Sequence, residues 1–485
     1  MRLGSNIFFG CLALCAVPRF AANAQTTTVD IRWDSVSSVS QTTATLQLVV
    51  NPLLRRGGTL HDPAFRALNE LGADYVRYAF WFPYPRLAVA ELERGAWDTS
   101  LIDPLTVDFF MANKGHDPIL SFSTIPAWLF KTANPVAIPA DPDEVAWGYT
   151  QGRELIDGGV PELADYYAHL VSWYANGGFT DRQGREHRSD FHFRIPYWEV
   201  FNEADSEHEM SPQDYTARYD AVVSAIHQVS RETKFVGLAL LAPGEHPEMF
   251  EYFLDHRNHR PGIPLDMISY HFYATPARFE SPETWQYTFF DEADGFLNTV
   301  RYVEQIRKRL SPETRTTLNE IGSVLPGGPA SKDAIPGIYW NASGALYAYV
   351  YLRAMQMGID VVGESQLVGF PTQFPSVSML DWATGTPNAR YWVLKLIHDR
   401  LAPGDRLVDT RGGTTDIMAQ AFVTPAGRAL LVVNKRNSRR VVRLKEEWKG
   451  AEAAVVDAGD AAHIASFDGQ TLELGNFAVA VIYGK

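Results

Sequence analysis

The sequence predicts a (β/α)8 barrel followed by a smaller antiparallel β-sandwich domain, and three observations support this. From about Leu60 to Leu401, short apolar runs alternate with amphipathic stretches, which is the pattern of repeated βα units around a parallel sheet. Seven apolar runs and eight helix candidates occupy this part of the chain, and an earlier run at Leu46–Asn51 makes eight strands, the number that closes a barrel. After Leu401 the pattern changes to short strands and turns. A doubly wound open sheet is the runner-up for the first part, but the sequence lacks a Gly-x-Gly-x-x-Gly motif.

The eight predicted barrel strands are apolar runs, several of which end in a polar or aromatic residue. In chain order they are Leu46–Asn51, Asp74–Phe80, Pro118–Phe122, Ile195–Phe201, Lys234–Ala239, Leu265–His271, Arg315–Glu320 and Ile359–Gly363. The predicted helices cover residues 62–72, 101–115, 161–176, 211–230, 246–257, 290–310, 342–357 and 388–399. Ser211-Pro212 indicates a helix start, because serine caps a helix N-terminus and proline fits its first turn.

The segments outside the barrel complete the predicted domain organisation. Residues 25–45 contain a strand-like piece, Thr26–Arg32, that is a candidate strand of the β domain, residues 46–401 form the barrel, and residues 402–485 form the β-sandwich. The predicted strands of this last domain are Thr415–Val423, Ala429–Asn434, Arg440–Leu444, Ala453–Asp457 and Phe477–Tyr483.

Residues 1–24 have the features of a secretory signal peptide. Arg2 supplies the positive end, an apolar run covers residues 7–17, and Ala22-Asn23-Ala24 provides small residues before the cleavage site. The apolar run is too short to span a bilayer as a helix, so an uncleaved anchor is less favoured, as is lipidation at Cys15. The mature protein is therefore expected to be secreted or periplasmic and not embedded in a membrane.

Composition excludes several classes of protein. The 485 residues carry 43 Lys+Arg against 57 Asp+Glu, a net charge of −14, and no run of five basic residues occurs, which argues against a nucleic-acid partner. Both cysteines, Cys11 and Cys15, lie in the signal segment, so disulfide scaffolds, zinc-thiolate sites and cysteine nucleophiles are excluded. No Gly-x-Ser-x-Gly motif supports a serine hydrolase.

A metal or other cofactor is not expected. The histidines at positions 187, 192 and 208 lie near the fourth strand, but their spacing matches no ligand set. Asn341-Ala342-Ser343 matches the N-glycosylation pattern, yet it falls where a helix is predicted to begin, so Asn341 or Ser343 is expected to cap that helix.

Two glutamates end predicted barrel strands, where barrel enzymes carry their chemistry. Glu203 follows the fourth strand in Trp198-Glu199-Val200-Phe201-Asn202-Glu203, and Glu320 ends the seventh strand after Thr317-Leu318-Asn319. Strands four and seven lie on roughly opposite walls, so the two carboxyl groups are expected to face each other. Such a pair serves glycoside hydrolysis when one carboxyl is protonated and the other ionised.

The segment from Trp198 to Glu203 resembles the W-E-x-x-N-E segment of clan A retaining glycoside hydrolases, especially glycoside hydrolase family 39, which includes β-xylosidases and α-L-iduronidases. The resemblance covers about residues 60–400 and the trailing β domain. It implies that Glu203 is the acid/base, that Glu320 is the nucleophile and that Asn202 contacts the sugar 2-hydroxyl. A retaining enzyme further requires the two carboxyl groups to lie roughly 5–5.5 Å apart.

The same resemblance implies further residues around the sugar. Ser269-Tyr270-His271-Phe272-Tyr273 is similar to the family's S-x-H-x-Y segment, so His271 and Tyr273 are expected to line the site. Arg77 resembles the clan's strand-two arginine that keeps the nucleophile ionised. Pro126-Ala127-Trp128 is similar to a P-x-W segment, which implies that Trp128 borders the sugar. Trp81, Trp340 and Trp382 are weaker candidates of the same kind.

Two departures from the family leave the substrate open. The eighth strand ends in Glu364-Ser365-Gln366 where many clan members carry tryptophan, and the loop from Gly322 to Trp340 is long and rich in glycine and proline. The sequence thus predicts a secreted, cofactor-independent retaining glycoside hydrolase with an oligo- or polysaccharide partner. The alternatives are a transglycosylase that uses the same glutamates and a carbohydrate-binding protein that has lost catalysis.

Overall fold

The computed structural model describes residues 25–147, 149, 152–278, 280–326, 335–369, 374–458 and 461–485. The predicted signal peptide lies outside these residues. Among them, no helix combines the length and the apolar character needed to cross a lipid bilayer.

Eight parallel strands close into a barrel, which confirms the predicted fold class. Numbered one to eight along the chain, the barrel strands are Thr43–Val49, Arg77–Phe80, Ile119–Phe122, Tyr197–Glu199, Lys234–Leu240, Met267–Ala274, Arg315–Ser323 and Val361–Glu364. Each pairs in parallel with its neighbours in chain order, and strand eight pairs with strand one. The strands are buried along almost their whole length, because side chains fill the interior and helices cover the outside.

Eight long helices alternate with these strands and all correspond to predicted helices. They are His61–Leu71, Ile102–Ala112, Gly159–Asn176, Pro212–Val229, Pro247–Phe253, Trp285–Leu310, Gly337–Met357 and Ala389–Arg400. The predicted start at Ser211 is confirmed, since its hydroxyl accepts a hydrogen bond from the backbone N–H of Asp214 at 3.1 Å. Their apolar faces share one continuous core with most of the barrel strands, and a separate small cluster joins Ile119, Tyr197, Val236, Met267 and Val361.

Short elements occupy the connections between strands and helices. They comprise the helix Pro85–Ala88, the 3-10 helices Pro52–Leu54, Ala127–Leu129, His256–Asn258 and Pro375–Val377, and the strand pairs Glu91–Glu93 with Ala96–Trp97 and Gly178–Thr180 with Glu186–Arg188.

A nine-stranded sheet forms the second domain, and the N-terminal segment joins it. Its strands are Gln25–Val39, Arg406–Arg411, Ile417–Thr424, Gly427–Asn434, Arg440–Leu444, Glu452–Val456, His463–Ala465, Thr471–Leu474 and Val479–Gly484. Residues 25–29 of the first strand pair in parallel with Arg440–Leu444, and residues 30–39 pair antiparallel with Arg406–Arg411. One strand therefore links two parts of the sheet, which enclose an apolar core of their own.

The glycosylation-like segment has a different place from the predicted one. The helix begins at Gly337, so Asn341 lies in its second turn and caps nothing. Asn341 is buried, and its amide donates to the carbonyl oxygen of Asp457 at 2.7 Å. The helix packs its outer face on the β domain, and this bond connects the two.

Candidate active site

A cavity of about 320 Å³ opens at the carboxyl ends of the barrel strands, where barrel enzymes bind their substrates. All eight barrel strands, or the loops that follow them, contribute side chains. The lining residues are Gln47, Val49, Arg77, Ala79, Trp81, Ser123, Trp147, Asn202, Glu203, Leu241, Tyr273, Thr275, Glu320, Val324, Gln366, Phe374 and Val377.

The backbone at the end of strand four is unusual. Phe201 and Glu203 both have positive φ angles, 69° and 41°, in the left-handed region that residues with a Cβ rarely occupy. The N–H of Glu203 donates to the carbonyl oxygen of Ala239 at 2.9 Å, which anchors this conformation to strand five. The turn directs Glu203 into the cavity, and strain of this kind commonly accompanies functional sites.

Glu203, His271 and Glu320 form a compact cluster at the bottom of the cavity. A carboxylate oxygen of each glutamate and a ring nitrogen of His271 lie within 4.8 Å of one another. Nδ1 of His271 lies 3.0 Å from Oε1 of Glu203 and 3.6 Å from Oε2 of Glu320. The structure thus brings the two predicted glutamates to the same nitrogen of one buried imidazole.

Glu320 is held by two donors that favour its ionised form. Arg77 donates to its Oε1, and the hydroxyl of Tyr273 donates to its Oε2 at 2.6 Å. Burial by itself would raise the pKa of Glu320, but the charges of His271 and Arg77 outweigh burial and lower it. Glu320 is therefore a carboxylate that stays negatively charged inside the barrel.

Glu203 has the opposite tendency. Burial raises its pKa, and the negative charge of Glu320 adds to this, while the hydrogen bond from His271 only partly opposes it. Two neighbouring carboxyl groups with pKa values shifted in opposite directions can act as a proton donor and a nucleophile.

Arg77 is a fully buried cation that hydrogen-bonds several side chains of the site. Its guanidinium donates to Glu199 at 2.5 Å and to Asn202 at 2.6 Å, in addition to Glu320. Burial alone would lower the pKa of Arg77, but Glu199 and Glu320 reverse this and raise it, so the arginine stays charged. Ser269 and Asn319 donate to the other oxygen of Glu199, at 2.9 and 2.6 Å.

Asn202 is oriented from both ends of its amide. Its oxygen accepts from Arg77, and its nitrogen donates to Oε1 of Glu207 at 2.9 Å. The same oxygen of Glu207 accepts a bond from the indole N–H of Trp81 at 2.8 Å. Burial and the nearby charge of Glu203 raise the pKa of Glu207 to about 8, so it is largely protonated at neutral pH.

The outer part of the cavity is apolar. Trp81 packs edge-to-face on Trp147, with ring centroids 5.2 Å apart, and Phe374 stacks at 6.3 Å from Trp81. Leu241 adds a side chain that is 40% exposed and faces the cavity mouth. Aromatic and aliphatic surfaces of this kind pack well on apolar ligand faces.

The structure brings six of the seven predicted site residues together and leaves one outside. Glu203, Glu320, Asn202, Arg77 and Tyr273 line the cavity, and His271 contacts both glutamates. Trp128 was expected to border the sugar, but it lies elsewhere: its indole N–H donates to the carbonyl oxygen of Glu91 at 2.8 Å, and Arg94 covers its ring. The 3-10 turn Ala127–Leu129 points this side chain away from the cavity. Trp81 of the weaker candidates does line it, whereas Trp340 and Trp382 pack on the core.

Five residues of the site were not predicted from the sequence. Glu199 belongs to the strand-four segment from Trp198 to Glu203. Its position in that segment could have indicated a role in the site. Gln47 lies on the inner face of strand one and accepts a bond from Arg77 at 3.1 Å. The remaining three are Glu207, Ser365 and Gln366, which follow strand ends but belong to loops without periodicity.

Comparisons with solved structures show the same fold. A GH30 endoxylanase from Clostridium papyrosolvens aligns over 94% of this chain and 99% of its own, with 14% identity and a TM-score of 0.58. A glucosidase from Croceicoccus marinus aligns over 95% and 98%, with 13% identity and a TM-score of 0.62. A GH51 arabinofuranosidase from Xanthomonas axonopodis pv. citri aligns over 95% and 99%, with 11% identity and a TM-score of 0.63. The chain therefore shares the fold of these three proteins, and the comparisons do not confirm family 39 in particular.

Sequence comparison gives one match, in the second domain. Residues 414–482 match the model of the C-terminal immunoglobulin-like domain of D-apionate lactonase. No curated protein sequence matches the chain.

Proposed function

We propose that this protein is a retaining glycoside hydrolase in which Glu203 is the acid/base and Glu320 the nucleophile. The observation that carries the proposal is the pair itself: the nearest carboxylate oxygens lie within 4.8 Å, and the pKa values are shifted in opposite directions. This separation suits direct attack on the sugar, because an inverting pair needs roughly 6.5–9.5 Å to admit a water molecule.

The first step would form a covalent glycosyl-enzyme. The proton of Glu203 passes to the glycosidic oxygen while a carboxylate oxygen of Glu320 bonds to the anomeric carbon, and the carbon–oxygen bond to the leaving alcohol breaks. In the second step, Glu203 takes a proton from water, whose oxygen bonds to the anomeric carbon and displaces Glu320. Arg77 supplies a positive charge beside the nucleophile in both steps, and His271 hydrogen-bonds Glu203. The mechanism requires no cofactor.

The test is turnover of a panel of nitrophenyl glycosides by the wild type, Glu203→Ala and Glu320→Ala. The panel includes β-xyloside, β-glucoside, β-galactoside, α-L-arabinofuranoside and α-L-iduronide. We expect at least one substrate to turn over with retained anomeric configuration, and Glu320→Ala to lower kcat by roughly 10³-fold or more. Azide should restore turnover of an activated substrate by Glu203→Ala with a glycosyl azide as product, because the anion needs no general base.

Glu91→Gln is the matched control. Glu91 is also a buried glutamate, but it lies beside Trp128, outside the cavity, and accepts from the N–H of Gly95 at 2.5 Å. Its substitution should leave turnover within about threefold of the wild type. Inverted products, or equal losses in the Glu91 and Glu320 variants, would refute the proposed roles.

A second candidate function is hydrolysis of a sugar lactone, which the match of residues 414–482 to a D-apionate lactonase domain favours. In that reaction Glu203 would act as a base: water adds to the lactone carbonyl carbon, the ring carbon–oxygen bond breaks, and the ring oxygen leaves as a hydroxyl group. Acid release from aldonolactones at constant pH distinguishes the two functions. Faster lactone opening than glycoside hydrolysis, abolished by Glu203→Ala, would favour the lactonase.

The same proposal includes export of the protein by the signal peptide at residues 1–24. Its Arg2, the apolar run at 7–17 and Ala22-Asn23-Ala24 support it. N-terminal sequencing of the protein recovered from outside the cytoplasm should give Gln25 as the first residue. An intact N-terminus would contradict cleavage.

A further inference from the structure

Gln366 is a buried residue whose side-chain amide has no hydrogen-bond partner among the described residues. The residue is only 3% exposed and lies two positions after the end of strand eight, where it lines the cavity. Its amide faces the cavity, and no described side chain or backbone group lies within hydrogen-bond distance of it. A side-chain amide offers two donors and an acceptor, so it is equipped to bind something in the cavity.

The backbone around Gln366 is fixed on both sides. Its N–H donates to the carbonyl oxygen of Val377 at 2.9 Å, and its carbonyl oxygen accepts from the N–H of Met379 at 3.0 Å. The following residue, Leu367, donates to the carbonyl oxygen of Gln47 at 2.8 Å, which ties the segment to strand one. A glutamine on such an anchored segment is held in place before any ligand arrives.

The buried side chain of Arg390 reinforces this anchor from behind. Glu364, at the end of strand eight, pairs with Arg390 at 2.9 Å, and neither side chain is exposed. Arg390 also donates to the carbonyl oxygens of Ser365 and Val377, the two neighbours of Gln366 in sequence and in hydrogen bonding. The arginine therefore holds the segment rigidly, which favours precise presentation of the amide.

The position of Gln366 relative to the nucleophile indicates what it binds. The hydroxyl of Tyr273 donates its proton to Glu320, so it accepts a 2.5 Å hydrogen bond from the hydroxyl of Ser365. Gln366 thus directly follows Ser365, which contacts the tyrosine that holds Glu320. Gln366 and Gln47 both line the cavity. A group bound by this amide belongs to the part of the substrate that Glu320 attacks.

We propose that Gln366 is a specificity-determining residue that hydrogen-bonds one hydroxyl group of the sugar attacked by Glu320. This rests on the proposed glycosidase function. It names the substrate class more closely: the sugar carries a free hydroxyl on the side that faces the end of strand eight, and analogues without that hydroxyl are rejected. A site that hydrogen-bonds a hydroxyl discriminates strongly, because removal of the hydroxyl leaves the buried amide unpaired.

The test crosses enzyme variants with substrate variants. The substrates are the best nitrophenyl glycoside of the panel and its monodeoxy analogues, and the enzymes are the wild type, Gln366→Met and Gln366→Leu. We expect Gln366→Met to lower kcat/KM of the parent glycoside by about 10- to 100-fold. For the monodeoxy analogue that lacks the hydroxyl bound by Gln366, the same substitution should lower kcat/KM by at most about twofold. The hydrogen bond that the substitution removes is already absent with that analogue.

The controls separate the possible outcomes. Gln183→Met, on a turn outside the cavity, should leave all substrates unchanged. Thermal melting identifies a variant that does not fold, in which case Gln366→Leu provides the comparison. Equal losses on the parent and every monodeoxy analogue would overturn the role of Gln366 while turnover itself persists. Absence of turnover by the wild type on every glycoside would instead refute the proposed glycosidase, a different result.

Discussion

The hydroxyl of Tyr273 donates to Oε2 of Glu320 at 2.6 Å, on the carboxylate whose other oxygen accepts from Arg77. Both oxygens of the proposed nucleophile therefore have a donor before substrate binds. Tyr273 stays protonated, because burial and the charge of Glu320 raise its pKa well above the ordinary value. This arrangement stabilises the carboxylate and sets its pKa, which several substitutions can test.

Tyr273→Phe should move the acidic limb of the pH profile to higher pH. Glu320 has a lowered pKa and works ionised, so its activity is present above that pKa and lost as the pH falls through it. Loss of the tyrosine donor raises the pKa of Glu320, and loss of a hydrogen bond to a charged group, roughly 1.5–3 kcal/mol, should lower kcat/KM by about 10- to 100-fold. The measurement is kcat/KM between pH 3 and 9.

The matched control for this variant is Tyr270→Phe. Tyr270 lies on the same strand and is fully buried, but its hydroxyl has no hydrogen-bond partner among the described residues. Removal of an unpaired hydroxyl should change neither limb of the profile. An unchanged acidic limb in Tyr273→Phe would show that Tyr273 does not tune Glu320.

Arg77→Met should destabilise the fold strongly. The substitution leaves Glu199 and Glu320 buried without their shared cation, which typically costs about 3–5 kcal/mol. Urea unfolding followed by tryptophan fluorescence measures the change. Arg56→Met is the control, because the Arg56–Asp108 pair lies at the surface and should contribute no more than about 1 kcal/mol. Similar losses in the two variants would contradict this account of Arg77.

Glu207→Gln should behave like the wild type below about pH 7, and Glu207→Ala should not. The pKa of Glu207 is raised to about 8, so the wild type carries a neutral carboxyl there, which glutamine reproduces. Alanine removes the acceptor shared by Trp81 and Asn202, and we expect a loss in kcat/KM of about 10- to 100-fold.

Steady-state kinetics at pH 6 compare the two Glu207 variants. Glu251→Ala is the neutral control, because the side chain of Glu251 is exposed at the surface. Equal damage by Gln and Ala at Glu207 would mean that a negative charge, not a hydrogen-bond acceptor, is required at this position.

Dialysis against EDTA should leave turnover unchanged. The donor atoms of Glu203, His271 and Glu320 lie close enough to hold a cation, but the two glutamates raise the pKa of His271 against the effect of burial, so the imidazole favours its protonated form. A metal would have to displace that proton. Excess Zn²⁺ is expected to inhibit by doing so. Activity that EDTA abolishes and a divalent cation restores would show that the site is a metal centre.

The sequence determined the architecture and the position of both glutamates. Apolar runs spaced by amphipathic stretches specify strands and helices locally, so the eight barrel strands could be assigned within a few residues. Glu203 and Glu320 follow such runs directly, and the carboxyl ends of parallel strands meet at one end of a barrel. Their meeting follows from the strand order alone.

The tertiary structure decided the rest, because the remaining contacts join residues far apart in the chain. Arg77 reaches Glu320 across 243 positions, and Tyr273 reaches Ser365 across 92. The opposite pKa shifts of the two glutamates arise from burial and from these neighbours, which no local pattern specifies. The direction of a loop side chain is equally non-local: Trp128 follows a strand end as expected, yet a tight turn takes its indole to another part of the surface.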